Sequence, residues 1–217
     1  RTTLTMKLEK IEPLDSPNYL RLIFDDGKRL KAPAFKVVEL GLTIGAEVSP
    51  EDFLALENAQ SFASCKERAV RILTASGLSK KELQKRLVQK GEREEDAEAA
   101  VSWLEELHLI DDLETAKQLV RSANLRGYGR ARAKSILYEK GIPKELWDEA
   151  LSEFGETDGA IDAFLRKKLS GRTLDQKTIK KAVDALIRRG HSYHDIQEGL
   201  RRLEADCEPI DTWEDME

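Results

Sequence analysis

Cysteine and histidine are scarce in this chain, two and three among 217 residues, and the sites they would build are missing with them. Cys65 and Cys207 lie far apart, so no disulfide framework is expected, and neither they nor the histidines show the paired spacing of a zinc site. Both cysteines read as ordinary thiols. His191 and His194 stand three apart at a helix start, but no carboxylate or cysteine recurs with them, so no metal or other cofactor is expected. Long apolar runs are absent too. Nothing approaches the roughly eighteen uninterrupted apolar residues of a membrane span, and Arg1 to Lys10 lacks the apolar block of a secretory signal. The expectation is a monomer in the cytoplasm. A Walker-type glycine loop with lysine is also missing, and the glycines of Arg126–Arg130 follow no strand, as a phosphate-cradling turn requires. With no nucleophile patterned beside His108, His191 or His194, the chain does not read as an enzyme.

Net positive charge is lacking as well, the formal value being −5 at pH 7. That average hides segments of opposite character. Between Lys117 and Lys140 seven basic residues stand against Glu139 alone, and between Ala160 and Gly190 nine stand against Asp162, Asp175 and Asp184. Acids concentrate at Glu92–Asp96, around Asp148 and Glu149, and in the tail Asp206–Glu217. Basic stripes beside acidic patches suit an acidic or mixed-charge partner surface better than indiscriminate coating of DNA.

What the chain does have is an internal repeat. A leucine sits four residues before a glycine that ends a basic amphipathic stretch at Leu87 and Gly91, again at Leu137 and Gly141, and again at Leu186 and Gly190. The period is about fifty residues. Positions six, ten and thirteen past each glycine are Ala97, Val101 and Leu104, then Trp147, Leu151 and Phe154, then Ile196, Leu200 and Leu203, all apolar. That spacing places them on one helix face, so each repeat reads as helix, glycine stop, helix. Helix starts are signalled by Ser79 with Glu82, by Asp111, by Pro143, by Asp175 and by Ser192. The expected repeats are residues 65–109, 110–154 and 155–205, each of three helices, followed by an acidic tail at 206–217.

Residues 1–60 lie outside the repeat and follow a period nearer two. Leu20, Ile23 and Phe24 precede Asp25-Asp26-Gly27, and Arg29 to Ala32 follow it, which predicts a hairpin; a strand from Leu4 to Ile11 would pair with it. Val37 to Leu42 reads equally as a strand or a helical turn. Ser49-Pro50-Glu51-Asp52 starts a helix that runs into the first repeat, with Ser61 to Ser64 as a place where it could break. The fold class is therefore mainly α, a tandem array of three three-helix repeats behind a small β-containing region.

Three-helix repeats with short turns also fit a helix-turn-helix protein binding single- or double-stranded DNA directly, and a generic helical scaffold for another protein stays open beside it. Against groove reading, the last helix of the first repeat opens on Glu92-Arg93-Glu94-Glu95-Asp96, where acids would repel phosphate.

Four stretches resemble the RecX family. They are Ser79-Lys80-Lys81-Glu82-Leu83-Gln84-Lys85-Arg86-Leu87-Val88-Gln89-Lys90-Gly91, Leu109-Ile110-Asp111-Asp112 with Ala116, Gly129-Arg130-Ala131-Arg132 running into Leu137-Tyr138-Glu139-Lys140-Gly141-Ile142, and the basic helix ending Arg188-Arg189-Gly190. The likeness covers Cys65 to Ala205. It implies a curved helical array that lodges in the groove of the RecA filament on DNA and inhibits ATP hydrolysis, strand exchange and the stimulation of repressor self-cleavage. The candidate contacts to the RecA filament or DNA are Lys81, Lys85 and Arg86, then Arg126, Tyr128, Arg130, Arg132 and Lys134, then Lys180, Lys181, Arg188 and Arg189. Each basic residue, taken singly, reads as part of a solvated helix face. The cluster Arg126-Gly127-Tyr128-Gly129-Arg130 reads either as a loop able to approach a partner backbone, with Tyr128 stacking on a base or side chain, or as a plain turn between helices.

Overall fold

The computed structural model describes residues 5–75, 77–169 and 175–205. The acidic tail, with Cys207 and Trp213, lies outside the described residues, as do Arg172 and the first four positions. The chain divides into two compact units, Arg1–Ile110 and Asp111–Glu217.

In the first unit, alternating apolar residues form β1 (Met6–Pro13), β2 (Tyr19–Phe24) and β3 (Arg29–Pro33), with a short β4 (Glu47–Val48). The strands are antiparallel in the order β3-β2-β1-β4. The predicted hairpin is β2–β3, turned at Asp25-Asp26-Gly27, where Gly27 holds φ at +81°. The ambiguous stretch after it is helical, α1 (Ala34–Glu39). The long α2 (Pro50–Ala75) starts as expected, with the Asp52 N–H donating to Ser49 Oγ at 3.1 Å. It runs without a break through Ser61–Ser64. One helix thus serves two cores. Leu56 packs with Leu8, Leu22, Phe24 and Val48 under the sheet, and Cys65 and Ala69 pack with Leu83, Leu87, Ala97 and Leu104. The marks at 60 and 65 read from the sequence both fall inside α2.

α3 (Lys80–Gln89) and α4 (Glu94–Glu106) complete the first repeat around the C-terminal half of α2. Ser79 caps α3, accepting from the Glu82 N–H at 3.1 Å. The carboxylate of Asp96, nearly buried at the start of α4, is held by Ser61 Oγ at 2.5 Å and by two nitrogens of Arg93 at 2.8 and 3.1 Å. Those partners hold its pKa below the usual aspartate value even though burial pulls the other way. Burial, with repulsion from Glu92 and Asp96, pushes the Cys65 thiol up to about 11, which leaves it protonated and unreactive at neutral pH.

The second unit holds α5 (Asp112–Leu125), α6 (Arg130–Glu139), a 3₁₀ turn (Lys144–Leu146) leading into α7 (Trp147–Ser152), α8 (Asp158–Leu169), α9 (Gln176–Arg188) and α10 (Tyr193–Ala205). Asp111 caps α5 through the N–H groups of Leu113 and Glu114, Asp175 caps α9 through Thr178, and Ser192 accepts from Asp195 at the start of α10. Pro143 stands one residue before the 3₁₀ turn rather than opening an α-helix, and α7 ends at Ser152. Phe154 therefore lies past the helix, yet it still packs on the core of Ala116, Val120, Leu137 and Leu151. The third repeat packs Ile161, Leu165, Leu186 and Ile196, and an Arg202–Asp162 pair at 3.0 Å ties α10 to α8. At Gly199 a Cβ would lie 2.6 Å from Ile161 Cγ2, so glycine sets how closely α10 and α8 approach.

Candidate functional site

The repeat has a single backbone cause. At Leu87, Leu137 and Leu186 the carbonyl accepts the N–H five residues on, from Glu92, Ile142 and His191, at 3.1, 3.0 and 3.2 Å. The intervening glycines Gly91, Gly141 and Gly190 have φ of +92°, +68° and +87°. This is the Schellman stop, in which the residue after the C-cap must turn left-handed and glycine does so without a Cβ penalty. The leucine of each repeat thus opens, and the residue after the glycine closes, one hydrogen-bonded loop that ends the second helix of the repeat, α3, α6 or α9, with the glycine inside it.

These same helices carry most of the candidate cations. Lys81 and Lys85 on α3, Lys134 on α6, and Lys180, Lys181 and Arg188 on α9 are exposed and make no ion pair among the described residues; the Arg126 side chain, just past α5, is in the same condition. The remaining candidates are engaged within the chain. Arg86 pairs with Glu82 at 3.1 Å, Arg132 pairs with Glu139 at 2.7 Å, and Arg130 donates to the Leu151 carbonyl at 3.0 Å.

The Arg126–Arg130 loop has a specific internal partner. Its Gly129 N–H donates to the Arg189 carbonyl at 2.9 Å and the Ala131 N–H to the Gly190 carbonyl at 3.2 Å, so the exposed carbonyls at the end of α9 cap the start of α6. Arg189 closes the junction from the side, donating to the Arg126 carbonyl at 2.8 Å, with its guanidinium 5.2 Å from the Tyr128 ring centre and 5.5 Å from that of Phe164. Tyr128 is half-buried against the core of the second repeat. The close backbone approach that the glycines permit is made to α9. A Cβ on Gly129 would sit 2.1 Å from the Gly190 oxygen, and one on Gly190 would sit 2.2 Å from the Arg132 nitrogen.

His191 belongs to this junction. Only 6% exposed, it places Nε2 3.1 Å from the Gly127 carbonyl, while its buried Nδ1 has no partner. A second proton would go on Nδ1, next to Arg189 and with no acceptor. Burial accordingly lowers the pKa below the usual histidine value; the Arg189 charge adds to that, and the bond to Gly127 and the charge of Asp195 oppose it. Among the described residues no group of three or more metal-ligating side chains comes together, and no helix is long and apolar enough to cross a membrane.

One feature of this surface escaped the sequence reading. The residue after each repeat leucine, Val88, Tyr138 and Ile187, is large, apolar and exposed, at 42%, 72% and 48%. In each repeat, an exposed apolar residue at this register position stands beside cations on its own helix. Aligning the sequence on the three glycines would have found the register, but only burial separates these residues from the core leucine one position earlier.

Two family models match, one described as the first three-helix domain of RecX over residues 65–104 and the other as its second three-helix domain over 111–151. The regulatory protein RecX of Vibrio parahaemolyticus is 32% identical over 139 residues, covering 63% of this chain and 90% of that protein. The chain belongs to the RecX family. The RecX protein of Clostridium beijerinckii extends the likeness across 92% of this chain at 28% identity, covering 96% of that protein. A crystal structure of a regulatory protein RecX shares the fold, with a TM-score of 0.73 at 21% identity over 89% of this chain and 99% of the other. The two RecX models take in the C-terminal half of α2 through most of α4, and then α5 through most of α7.

Proposed function

We propose that this RecX-family regulator binds RecA nucleoprotein filaments and lowers their ATPase, strand-exchange and coprotease activities without catalysing a reaction itself. The observation that carries this reading is the recurrence of exposed cations and an exposed apolar residue on the second helix of every repeat. A partner that is itself a repeating polymer offers equivalent sites to equivalent modules, and the anionic DNA within it favours basic ones. The three repeats, 65–109, 110–154 and 155–205, are its contact modules, and the chain acts as a monomer in the cytoplasm with no cofactor.

Groove-reading DNA recognition is the weaker reading, because the exposed start of α4 presents Glu94 and Glu95. The deciding experiment is RecA ATPase on single-stranded DNA, titrated with substoichiometric protein. The expected result is a falling rate, with binding to RecA-coated DNA stronger than to bare DNA at matched salt. An unchanged rate with the cognate RecA and demonstrably folded protein would remove the reading. Tight, steeply salt-dependent binding to bare DNA without filament preference would replace it with direct nucleic-acid binding.

A further inference from the structure

α9 differs from its counterparts in a way the repeat does not require. Ala182 and Leu186 belong to the core of the third repeat. Beside them, at four-residue spacing, Ile179, Val183 and Ile187 widen the same apolar stripe. Counted back from the repeat glycine, the equivalent residues are Lys80, Gln84 and Val88 on α3, and Arg130, Lys134 and Tyr138 on α6. Only α9 is apolar along the whole line: Ile179 is buried, Val183 packs on the third repeat's core, and Ile187, 48% exposed, carries the stripe out to the surface. The line forms one wall of a trough of about 820 Å³, whose other wall is Tyr193, Ile196 and Leu200 of α10, with the cations Lys177, Lys180 and Arg201 and the acids Asp184 and Glu204 also lining it.

The chain carries a segment that matches this trough. Asp206–Glu217 holds six acids and no basic residue, with Ile210, Trp213 and Met216 spaced three apart. It continues directly from α10, whose Arg201 and Glu204 line the trough. Twelve residues reach about 40 Å when extended, and a thirteen-residue helix such as α9 is about 20 Å long. We propose that Asp206–Glu217 docks in the trough between α9 and α10, seating Ile210, Trp213 and Met216 on its apolar walls and its carboxylates against Lys177 and Lys180. The two lines of support are independent: an apolar trough brought to the surface by Ile187 and Tyr193, and an excess of cations over acids along it that faces a tail with acids only. Neither lysine has an ion-pair partner among the described residues. The docked segment covers Lys180, and where the filament reading above holds, it competes with the filament for that residue.

Trp213 reports the docking in the full chain. The emission difference between the protein and its Trp213→Phe variant isolates that residue from Trp103 and Trp147. Docking is expected to give a blue-shifted difference spectrum protected from acrylamide, and Lys177→Glu with Lys180→Glu is expected to shift it red and open it to the quencher. Adding Asp211→Lys with Glu214→Lys to that variant should restore protection, since the charges are exchanged and not lost. Both lysines are exposed, so the variant keeps its helicity. A difference spectrum matching that of a synthetic 206–217 peptide would overturn the proposal. Protection that vanishes on dilution would also overturn it, assigning the trough to a second copy of the chain. The readout involves neither RecA nor DNA, so its failure leaves the filament reading standing, and an unchanged ATPase would leave the docking standing.

Discussion

His191 shows how one side chain couples the junction to pH. In the unfolded chain its pKa is about 6.5, and in the fold it is lower because burial disfavours the imidazolium. The unfolded state therefore binds more protons as the solution is acidified, and stability falls. The His191 contribution is complete above the unfolded value and is lost as pH drops through it toward the folded value. Unfolding midpoints in urea between about pH 7.5 and 5 should decline in the native chain and flatten in His191→Gln, which keeps an N–H donor without the titration. Equal slopes would show that the junction does not feel this proton. The carboxylates of Asp96 and Asp175 act in a separate, more acidic window. Their pKa values lie below the usual aspartate value, so their contribution is lost only on further acidification.

At the scale of the element, the same glycine stop closes α3, α6 and α9 but stands in different surroundings. A Cβ added at Gly91 meets nothing within 4 Å, so Gly91→Ala should cost only the left-handed backbone penalty, about 1 to 2 kcal/mol. Gly190→Ala carries that penalty and also drives a methyl against the backbone of Arg132, so its cost should exceed about 4 kcal/mol or part α9 from α6. Thermal melts of the two variants test this, and equal losses would mean that the end of α9 does not cap α6. The helix starts at Ser79, Asp111, Asp175 and Ser192 were legible because a cap and the N–H groups it satisfies are two or three residues apart. The capping of α6 by α9 was not. Gly129 and Arg189 are sixty residues apart in sequence, and no local pattern announces that they share a hydrogen bond.

Across the whole molecule, charge that is one quantity in composition becomes two populations in the fold. Arg130, Arg132 and Arg189 are held by Leu151, Glu139 and the Arg126–Gly127 backbone, so reversing Arg130 perturbs packing along with charge. Lys85, Lys134 and Lys181 are exposed without an ion-pair partner among the described residues, one on the second helix of each repeat. Changing these three to glutamate should leave circular dichroism and melting within about 0.5 kcal/mol of the parent. On the filament reading, the same variant should lose at least about tenfold in inhibition of RecA ATPase, roughly 1.4 kcal/mol. Undiminished inhibition would take the second helices out of the contact surface.

The array was legible from residue order alone: the leucine-to-glycine register, the caps and the apolar stripes act over short spans, where backbone geometry leaves little choice. Its N-terminal hairpin followed from an Asp-Gly turn between alternating runs. That α2 is shared between a sheet and a repeat, that the Arg126–Arg130 loop is spent on α9, and which cations remain for a partner came from packing in three dimensions. Those outcomes depend on which distant carbonyls and carboxylates arrive beside each arginine, and a side chain's freedom is settled by its neighbours in space, not along the chain.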